Sequence, residues 1–404
     1  MSCSPTPARV PISRTGVLAA TWIALATVPT LLSSCGSERL GPHGTPTLES
    51  AIDEIVRPFM EYGSPSGLMV GITAEGERRV LRYANAGRGF ELPRRDGLFE
   101  ITSITKTFTA TLLAEMIQEG LLGLDDPIEA HLPGDVDVPT CEGEPIRIRH
   151  LATHTAGLSN LLPGTVEGPY TEQQIHDYLE SLASGTTPFC EQDGAGGHVP
   201  PGERMSQSEV GYVVLGMIIE RVAGKPLADL LRERICDPLG LSDTRGYAML
   251  DPVKRARLVN AYEVDGTELD FWSDTWLDGA GGLAASIDDT LRYLEACMNP
   301  AGPLGDALAL TQEPLFWSYE RPEDSKGIGM AWSILRSPGE QICIQRGWHR
   351  MSSAAFFWPE RKIGMVLVCT TREHVRLLDA LAAEIWAEIE QRVARAESPD
   401  LVHG

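Results

Sequence analysis

Two hydrophobic periods divide the chain into helical and strand-like regions. Residues 49–63 and residues 374–396 carry apolar side chains at helical spacing, which predicts one helix near each end of the folded region. Residues 66–87 alternate as two strands joined by a turn at residues 75–77. Four further stretches alternate or run apolar, as the strands of a meander do: residues 327–336, 340–346, 352–358 and 362–370.

The middle of the chain carries helical patterns instead. Four stretches are predicted as helices: residues 104–120, 211–224, 227–235 and 286–298. The first is predicted to be amphipathic and to end at Gly120, and the last follows Ser286, a residue suited to an N-cap. This order predicts an α/β fold. One antiparallel sheet, built from both ends of the chain, is flanked by the N- and C-terminal helices and lies beside an all-helical subdomain.

The N-terminal segment has the pattern of an export signal. Arg9 and Arg14 precede an apolar run at residues 17–32, which is short for a membrane span. The sequence LSSCGS around Cys35 resembles a bacterial lipobox, with lipid on the sulfur; the alternative is an ordinary signal peptide with an incidental cysteine.

The predicted organisation is therefore a lipoprotein-type signal peptide (residues 1–34), a Gly/Pro-rich tether (35–48) and one domain (49–395). An exported, membrane-anchored protein of the periplasmic or extracellular face is expected.

Charge and composition narrow the range of partners. The chain has 404 residues, 43% of them hydrophobic, with a net charge of −22 and a pI of about 4.8. Because so acidic a surface repels phosphate backbones, nucleic-acid binding is not expected. Membrane contact is expected only through the lipid anchor. The positive charge is carried almost entirely by arginine, because the chain has only five lysines.

The cysteines predict one disulfide and no metal site. Of the eight cysteines, Cys3 and Cys35 belong to the export segment. Cys141 and Cys190 lie in polar, turn-rich loops of an exported protein and form the predicted pair. Cys343 and Cys369 lie in apolar, strand-like runs and are predicted to be buried thiols. The Cys and His spacings do not match a zinc site, so neither a metal nor another cofactor is expected.

Candidate chemistry centres on ITSITKTFTA, residues 101–110, where Ser103 precedes Lys106 by three positions. Residues i and i+3 share one face of a helix. A serine at a helix start has free backbone N–H groups nearby, which favour an oxyanion. Burial lowers the pKa of a lysine and makes it a base for the serine. The alternative is a helix start whose serine and lysine have no chemical role.

Five segments together resemble the serine beta-lactamase and penicillin-binding protein superfamily. The closest branch holds class C beta-lactamases, D-alanyl-D-alanine carboxypeptidases and related esterases. The segments are FEITSITKTFTATLLAEMIQEGLLGLDDPIEAHLP (99–133), IRIRHLATHTAGL (146–158), PPGERMSQSEVGYVVLGMIIERVAGKPL (200–227), ICDPLGLSDT (235–244) and GAGGLAASIDDTLRYL (279–294). The resemblance covers residues 50–390. It implies a beta-lactamase/transpeptidase-like fold, with Ser103 as the nucleophile, Lys106 as its base, and His150 and His154 in structural roles.

The second motif of this superfamily, Tyr-x-Asn, is replaced here by Gln207-Ser208-Glu209. The tyrosine normally shares the role of general base, whereas a glutamine amide only donates and accepts hydrogen bonds. A carboxylate at Glu209 would raise the pKa of Lys106 and favour its ammonium form. Tyr212 follows closely and is another candidate to replace the tyrosine, although the resemblance places it in helix packing.

The third motif, Lys-Thr-Gly or His-x-Gly, is matched best by Gln345-Arg346-Gly347. The cation at its first position is missing, and strand alternation is expected to turn Arg346 to the opposite face. His349 and Arg350 follow and are candidates to restore the positive charge. In this register the backbone N–H groups of Ser103 and Trp348 are expected to form the oxyanion hole.

Two functional hypotheses follow. The first is a serine hydrolase that acts on an ester, amide or peptide-like acyl substrate through an acyl-enzyme at Ser103, with Gln207 or Glu209 orienting water or substrate. A true beta-lactamase is disfavoured, because recognition of the penicillin carboxylate depends on the missing cation. The second is a binding or sensing protein in which the fold is kept and catalysis is lost. The sequence leaves the oligomeric state open.

Overall fold

The computed structural model describes residues 47–62, 65–74, 76–165, 170–190, 198–270, 279–372 and 375–397. The predicted signal peptide, Cys35 and the tether up to residue 46 lie outside the described residues, and they stay predictions. None of the helices in the described ranges is long and apolar enough to cross a membrane.

The secondary structure alternates between long elements and short connecting ones. The helices are α1 Leu48–Tyr62, α2 Thr105–Gln118, α3 Ile148–Ala152, α4 Glu172–Ala183, α5 Glu209–Ala223, α6 Leu227–Leu230, α7 Pro252–Arg255, α8 Ile287–Cys297, α9 Gly305–Thr311 and α10 Val375–Glu397. The strands are β1 Gly67–Ala74, β2 Glu77–Ala84, β3 Phe99–Glu100, β4 Thr140–Cys141, β5 Glu144–Pro145, β6 Arg245–Gly246, β7 Ala261–Tyr262, β8 Glu268–Leu269, β9 Leu283–Ala285, β10 Phe316–Glu320, β11 Ser325–Ile328, β12 Ser333–Ser337, β13 Glu340–Trp348, β14 Ser352–Trp358 and β15 Ile363–Cys369. Single 3₁₀ turns lie at Ala86–Arg88, Thr102–Ile104, Ile128–His131 and Tyr247–Met249, and a π-helical turn at Leu231–Cys236.

The main sheet joins both ends of the folded region, as the sequence predicts. Within the described residues it has eight strands in the order β10-β11-β12-β13-β14-β15-β1-β2, and all the pairings are antiparallel. Leu68 of β1 pairs with Cys369 of β15, so a strand from the N-terminal part of the sequence lies beside one from the C-terminal part. A smaller sheet has the order β3-β9-β6, and its strand β3 ends shortly before the start of α2 in sequence.

By its contacts the chain divides into two units, residues 1–63 with 379–404, and residues 64–378. In the first unit each helix buries one face at i, i+4 spacing. The buried residues at this spacing are Ile52, Val56 and Met60 in α1 and Leu381, Ile385 and Ile389 in α10; Ala382 and Trp386 of α10 are also buried. The guanidinium of Arg392 donates a hydrogen bond to the carbonyl of Thr47 at 3.3 Å, which ties the two helices together.

In the second unit, helices cover the main sheet and surround α2. Ile287 and Leu291 of α8 are buried with Met69 of β1 and with strand β15, because their i, i+4 spacing aligns them on one face. The ring of Phe108 in α2 stacks on Tyr293 of α8, with ring centroids 4.0 Å apart. Packing from several sides therefore fixes α2, the helix that carries Lys106.

Several element boundaries differ from the sequence prediction. The stretch predicted as one strand at residues 327–336 forms two, β11 and β12, and strand β10 was not predicted. The helix predicted as amphipathic is buried on nearly all sides, from Thr105 to Ala114, because it lies inside the second unit. Thr107 and Thr111 of this helix each donate a hydrogen bond to a backbone carbonyl three or four residues earlier in the chain, at 2.8 Å.

The cysteines follow the prediction. Cys141 and Cys190 form a disulfide that joins the β4–β5 hairpin to the loop after α4. Cys343 and Cys369 are buried free thiols, as are Cys236 and Cys297. Burial raises the pKa of the Cys343 and Cys369 thiols to about 12, so both are protonated at neutral pH.

Candidate active site

Ser103 lies in the 3₁₀ turn Thr102–Ile104, immediately before α2, and its side chain is buried. The preceding residue, Thr102, has φ +49°, a left-handed conformation that residues other than glycine seldom adopt. Its hydroxyl is hydrogen-bonded to the carbonyl of Ile101 at 2.8 Å and to the Ser353 hydroxyl at 2.7 Å. These bonds fasten the turn to strand β14 and fix the backbone of Ser103.

Lys106 lies one turn further on, and its side chain is fully buried. Its Nζ is 2.8 Å from Ser103 Oγ, 3.0 Å from Glu209 Oε1 and 2.8 Å from the carbonyl oxygen of Ala280. The Ala280 carbonyl comes within reach because the chain around β9 runs along α2, where Thr109 donates to the carbonyl of Gly279 at 2.8 Å. Three oxygens from distant parts of the sequence thus converge on one amine.

Burial and the neighbouring Glu209 act on the pKa of Lys106 in opposite directions. Burial lowers the pKa of Lys106, because the surrounding apolar groups cannot solvate an ammonium. The charge and hydrogen bond of Glu209 raise it, and the net pKa is still below its usual value. The sequence predicted that Glu209 would favour the ammonium form of Lys106. This effect is present, but it is weaker than the effect of burial.

Glu209 is brought to the site by the start of α5. Ser208 is the N-cap of this helix, and its hydroxyl accepts a hydrogen bond from the N–H of Gly211 at 2.8 Å. Glu209 is therefore the first helical residue, with Oε1 3.4 Å from Ser103 Oγ. Gln207 is exposed, and within the described residues it makes no hydrogen bond to Ser103 or Lys106. Of the two residues expected to orient water or substrate, the structure places Glu209 against the serine.

The histidines of this region hold the backbone. His154 is buried and accepts a hydrogen bond from the N–H of Ser208 at 3.2 Å, which positions the residue before Glu209. His150 accepts one from the N–H of Arg147 at 3.1 Å. Burial lowers the pKa of His154 to about 3 and that of His150 to about 4, so both are neutral at pH 7.

Tyr212 does not take the place of the missing tyrosine. Its hydroxyl donates to the carbonyl of Ala152 at 2.8 Å, and burial raises the pKa of this phenol. The centre of its ring lies 5.8 Å from Lys106 Nζ. Tyr212 therefore contributes an apolar wall beside the amine, while its oxygen is engaged elsewhere.

Strand β13 approaches the nucleophile at Gly347. A Cβ atom at this position would lie 1.5 Å from Thr102 Oγ1 and 2.8 Å from the backbone nitrogen of Ser103. Only a glycine permits so close an approach. Trp348, next in the strand, is 52% exposed. The predicted register of the third motif, with Gly347 beside Ser103, thus matches the geometry.

Gln345 lies on the same face of β13 as Gly347, two residues away. Its side chain is buried, and Oε1 accepts a hydrogen bond from the N–H of Arg346 at 2.9 Å. Arg346 alternates to the other face of the strand, and there its charge helps burial to lower the pKa of Lys326 on β11. The first position of this motif therefore presents an amide where the superfamily has a cation.

His349 and Arg350 are engaged by an acidic residue that the sequence analysis did not single out. Arg350 is paired with Glu100 of β3 and also donates to the carbonyl of Leu269 at 2.6 Å. His349 Nδ1 lies 3.8 Å from the other oxygen of Glu100. The sequence signal that could have identified Glu100 is its position, three residues before the candidate nucleophile Ser103. The carboxylate of Glu100 offsets the charge of Arg350, one of the two residues expected to repair the third motif.

A family model described as Beta-lactamase matches residues 52–387 of this chain. The chain belongs to the Beta-lactamase family. Among curated proteins of this kind, the D-alanyl-D-alanine-carboxypeptidase/endopeptidase AmpH of Escherichia coli (strain K12) is 26% identical over 320 residues. The match covers 77% of this chain and 76% of AmpH. The predicted superfamily is confirmed.

Solved structures confirm the fold class of this Beta-lactamase family member. A class C beta-lactamase superposes with a TM-score of 0.69 at 18% identity, covering 84% of this chain and 96% of that one. The beta-lactamase/D-alanine carboxypeptidase of Yersinia pestis, solved with citrate, superposes with a TM-score of 0.66 at 22% identity, covering 84% and 99%. In the described part of the chain, we find no group of three His, Cys, Asp or Glu side chains that could hold a metal ion.

Proposed function

We propose that this Beta-lactamase family member is a serine hydrolase that forms an acyl-enzyme at Ser103, with Lys106 as the base. The observation that carries the proposal is the fully buried amine 2.8 Å from Ser103 Oγ. The amine takes the hydroxyl proton as Oγ attacks the acyl carbon, and then returns it to the leaving group. Water hydrolyses the resulting ester, and the proposed role of Glu209 in this step is to orient the water, which its 3.4 Å distance from Ser103 Oγ supports.

The backbone N–H groups of Ser103 and Trp348 are the proposed oxyanion hole. The proposal is supported by Gly347, which brings β13 against the backbone nitrogen of Ser103. Such donors stabilise the charge that develops on the carbonyl oxygen.

Small neutral esters, amides or peptide-like acyl compounds are the proposed substrates. The class is supported by the carboxylate of Glu209 near Ser103 and by the neutral Gln345 in the third motif. An anionic substrate would meet a negative charge without the cation that the superfamily provides. AmpH, a carboxypeptidase/endopeptidase by name, supports acyl chemistry on peptide bonds in a relative.

A binding or sensing protein is the second candidate. It is favoured by Gln207 and Gln345, which replace the tyrosine and the cation of the two altered motifs. Ser103 and Lys106 would then hold the fold together and form no ester. The two candidates differ in one observable property, the reactivity of the Ser103 hydroxyl toward an acylating or phosphonylating reagent.

Labelling with a fluorophosphonate probe is expected to modify the wild-type protein at Ser103, because Lys106 activates the hydroxyl toward the phosphorus. Gel fluorescence and peptide mass mapping measure it. The Ser103→Ala variant is expected to lose all labelling. The variant Ser184→Ala, which removes an exposed hydroxyl at the end of α4, is the matched control and is expected to label as wild type. Absence of labelling in the folded wild-type protein would favour the binding or sensing protein.

A further inference from the structure

Three atoms at the candidate site form a closed triangle: Ser103 Oγ, Lys106 Nζ and Glu209 Oε1. The distances are 2.8 Å from oxygen to amine, 3.0 Å from amine to carboxylate and 3.4 Å from carboxylate to Ser103 Oγ. We propose that the base is the Lys106–Glu209 pair acting as one unit, and that Glu209 is a catalytic residue rather than only an orienting one. This inference rests on the proposed acyl-enzyme at Ser103.

The hydrogen bonds of Lys106 show how Glu209 would direct the amine. A neutral amine has two hydrogens and one lone pair. The carbonyl of Ala280 and an ionised Glu209 can only accept hydrogen bonds, so each takes one hydrogen. Once the amine is neutral, its lone pair is left to face the third partner, Ser103 Oγ, which lies 2.8 Å from Nζ. A carboxylate at residue 209 thereby orients the lone pair toward the hydroxyl.

The same carboxylate compensates the charge that the proton brings. Before the transfer the pair carries one negative charge, on Glu209, and the amine is neutral. The Oγ–H bond of Ser103 breaks, the proton joins Nζ, and Oγ bonds the acyl carbon as the carbonyl electron pair moves onto oxygen. Lys106 and Glu209 then form an ammonium–carboxylate pair with no net charge, so no unpaired cation arises in a buried position. On collapse the ammonium returns its proton to the leaving group as the scissile bond breaks.

A structural role for Glu209 is the alternative, because an acidic residue in the first turn stabilises a helix through the macrodipole. The chain offers a matched control. Glu172 is the first residue of α4, as Glu209 is of α5, and both follow a hydroxyl N-cap. Glu172 is exposed and lies outside the candidate site. Glu172→Gln therefore removes the same charge from the same helix position without touching the serine.

The test is the rate of fluorophosphonate labelling at Ser103 as a function of pH in wild type, Glu209→Gln and Glu172→Gln. Glu209→Gln is expected to lower the plateau rate by about 100-fold, within the range of general-base catalysis. Labelling falls at low pH because the base becomes protonated. Since a nearby carboxylate raises the pKa of an ammonium, its removal is expected to move this acid limb to lower pH. Glu172→Gln is expected to match wild type in both respects.

Conservative variants distinguish charge from shape. Glu209→Asp keeps the charge and is expected to restore part of the plateau and the wild-type acid limb. Glu209→Asn, which places the residue of the superfamily motif here, is expected to behave as Glu209→Gln, and it carries the test if the glutamine variant fails to fold.

Two results would overturn the inference while the proposed function stands. One is labelling of Glu209→Gln, or of Glu209→Asn in its place, at the wild-type rate, which would leave Lys106 as the base alone. The other is a lowered plateau with an unmoved acid limb and a lower melting temperature, which would assign Glu209 a structural role. A folded wild-type protein that never labels at Ser103 would instead overturn the proposed function, and this inference with it.

Discussion

Lys106→Met is expected to slow fluorophosphonate labelling of Ser103 by about 1,000-fold, within the range that positioned bases contribute. Methionine fills much of the same buried volume, but its thioether sulfur is not a base, so Ser103 keeps its place in the turn and loses its proton acceptor. Its hydroxyl also loses the 2.8 Å contact with Nζ. The second-order rate of labelling at pH 7.5 measures the effect.

The control for this variant is the double variant Lys106→Met/Glu209→Gln. Removing the amine alone takes a hydrogen-bond donor away from Glu209 and from the Ala280 carbonyl. This loss is expected to lower the free energy of unfolding by about 1–3 kcal/mol. The double variant removes the unpaired carboxylate as well, so it is expected to regain stability while labelling stays slow. Labelling of Lys106→Met at the wild-type rate would show that Ser103 reacts without this amine.

Gly347→Ala is expected to give the second largest loss, about 100-fold in labelling, together with lower thermal stability. The new methyl group would lie 1.5 Å from Thr102 Oγ1, far inside contact distance, so β13 or the Ser103 turn must move apart. Displacing groups at a reactive centre by about 1 Å is enough for a loss of this size. Labelling rates and thermal unfolding measure both effects.

Gly134→Ala is the matched control for that variant, because a Cβ at this position meets no atom within 4 Å and its φ is not left-handed. It is expected to leave both the labelling rate and the melting temperature unchanged. If Gly347→Ala labelled as fast as Gly134→Ala, the approach of β13 to the nucleophile would not matter for reactivity.

The local part of the candidate site could be predicted from the sequence. Ser103 and Lys106 are three residues apart at a helix start, and such spacing brings two side chains together in any fold. The register of Gly347 could be placed through the resemblance to a known family. The contact between Lys106 and Glu209 needed the same resemblance, because it joins residues 103 positions apart.

Other features depend on tertiary packing, which a single sequence does not encode locally. The carbonyl of Ala280 reaches Lys106 only because the chain around β9 runs along α2. The pairing of Arg350 with Glu100 joins residues 250 positions apart. The sequence therefore indicated an available cation near the third motif, whereas in the structure this cation is paired with a carboxylate. The buried threonines of α2 gave it an amphipathic pattern, although its surroundings enclose nearly every face.

The most direct test of the central claim is rapid-quench mass spectrometry of the wild-type protein mixed with p-nitrophenyl butyrate. A buried amine that activates Ser103 predicts one butyryl group on the peptide that contains residues 101–106. The adduct should form before steady turnover and be absent from Ser103→Ala. Steady release of p-nitrophenol with no acyl group on that peptide, or with the group on another residue, would contradict the account.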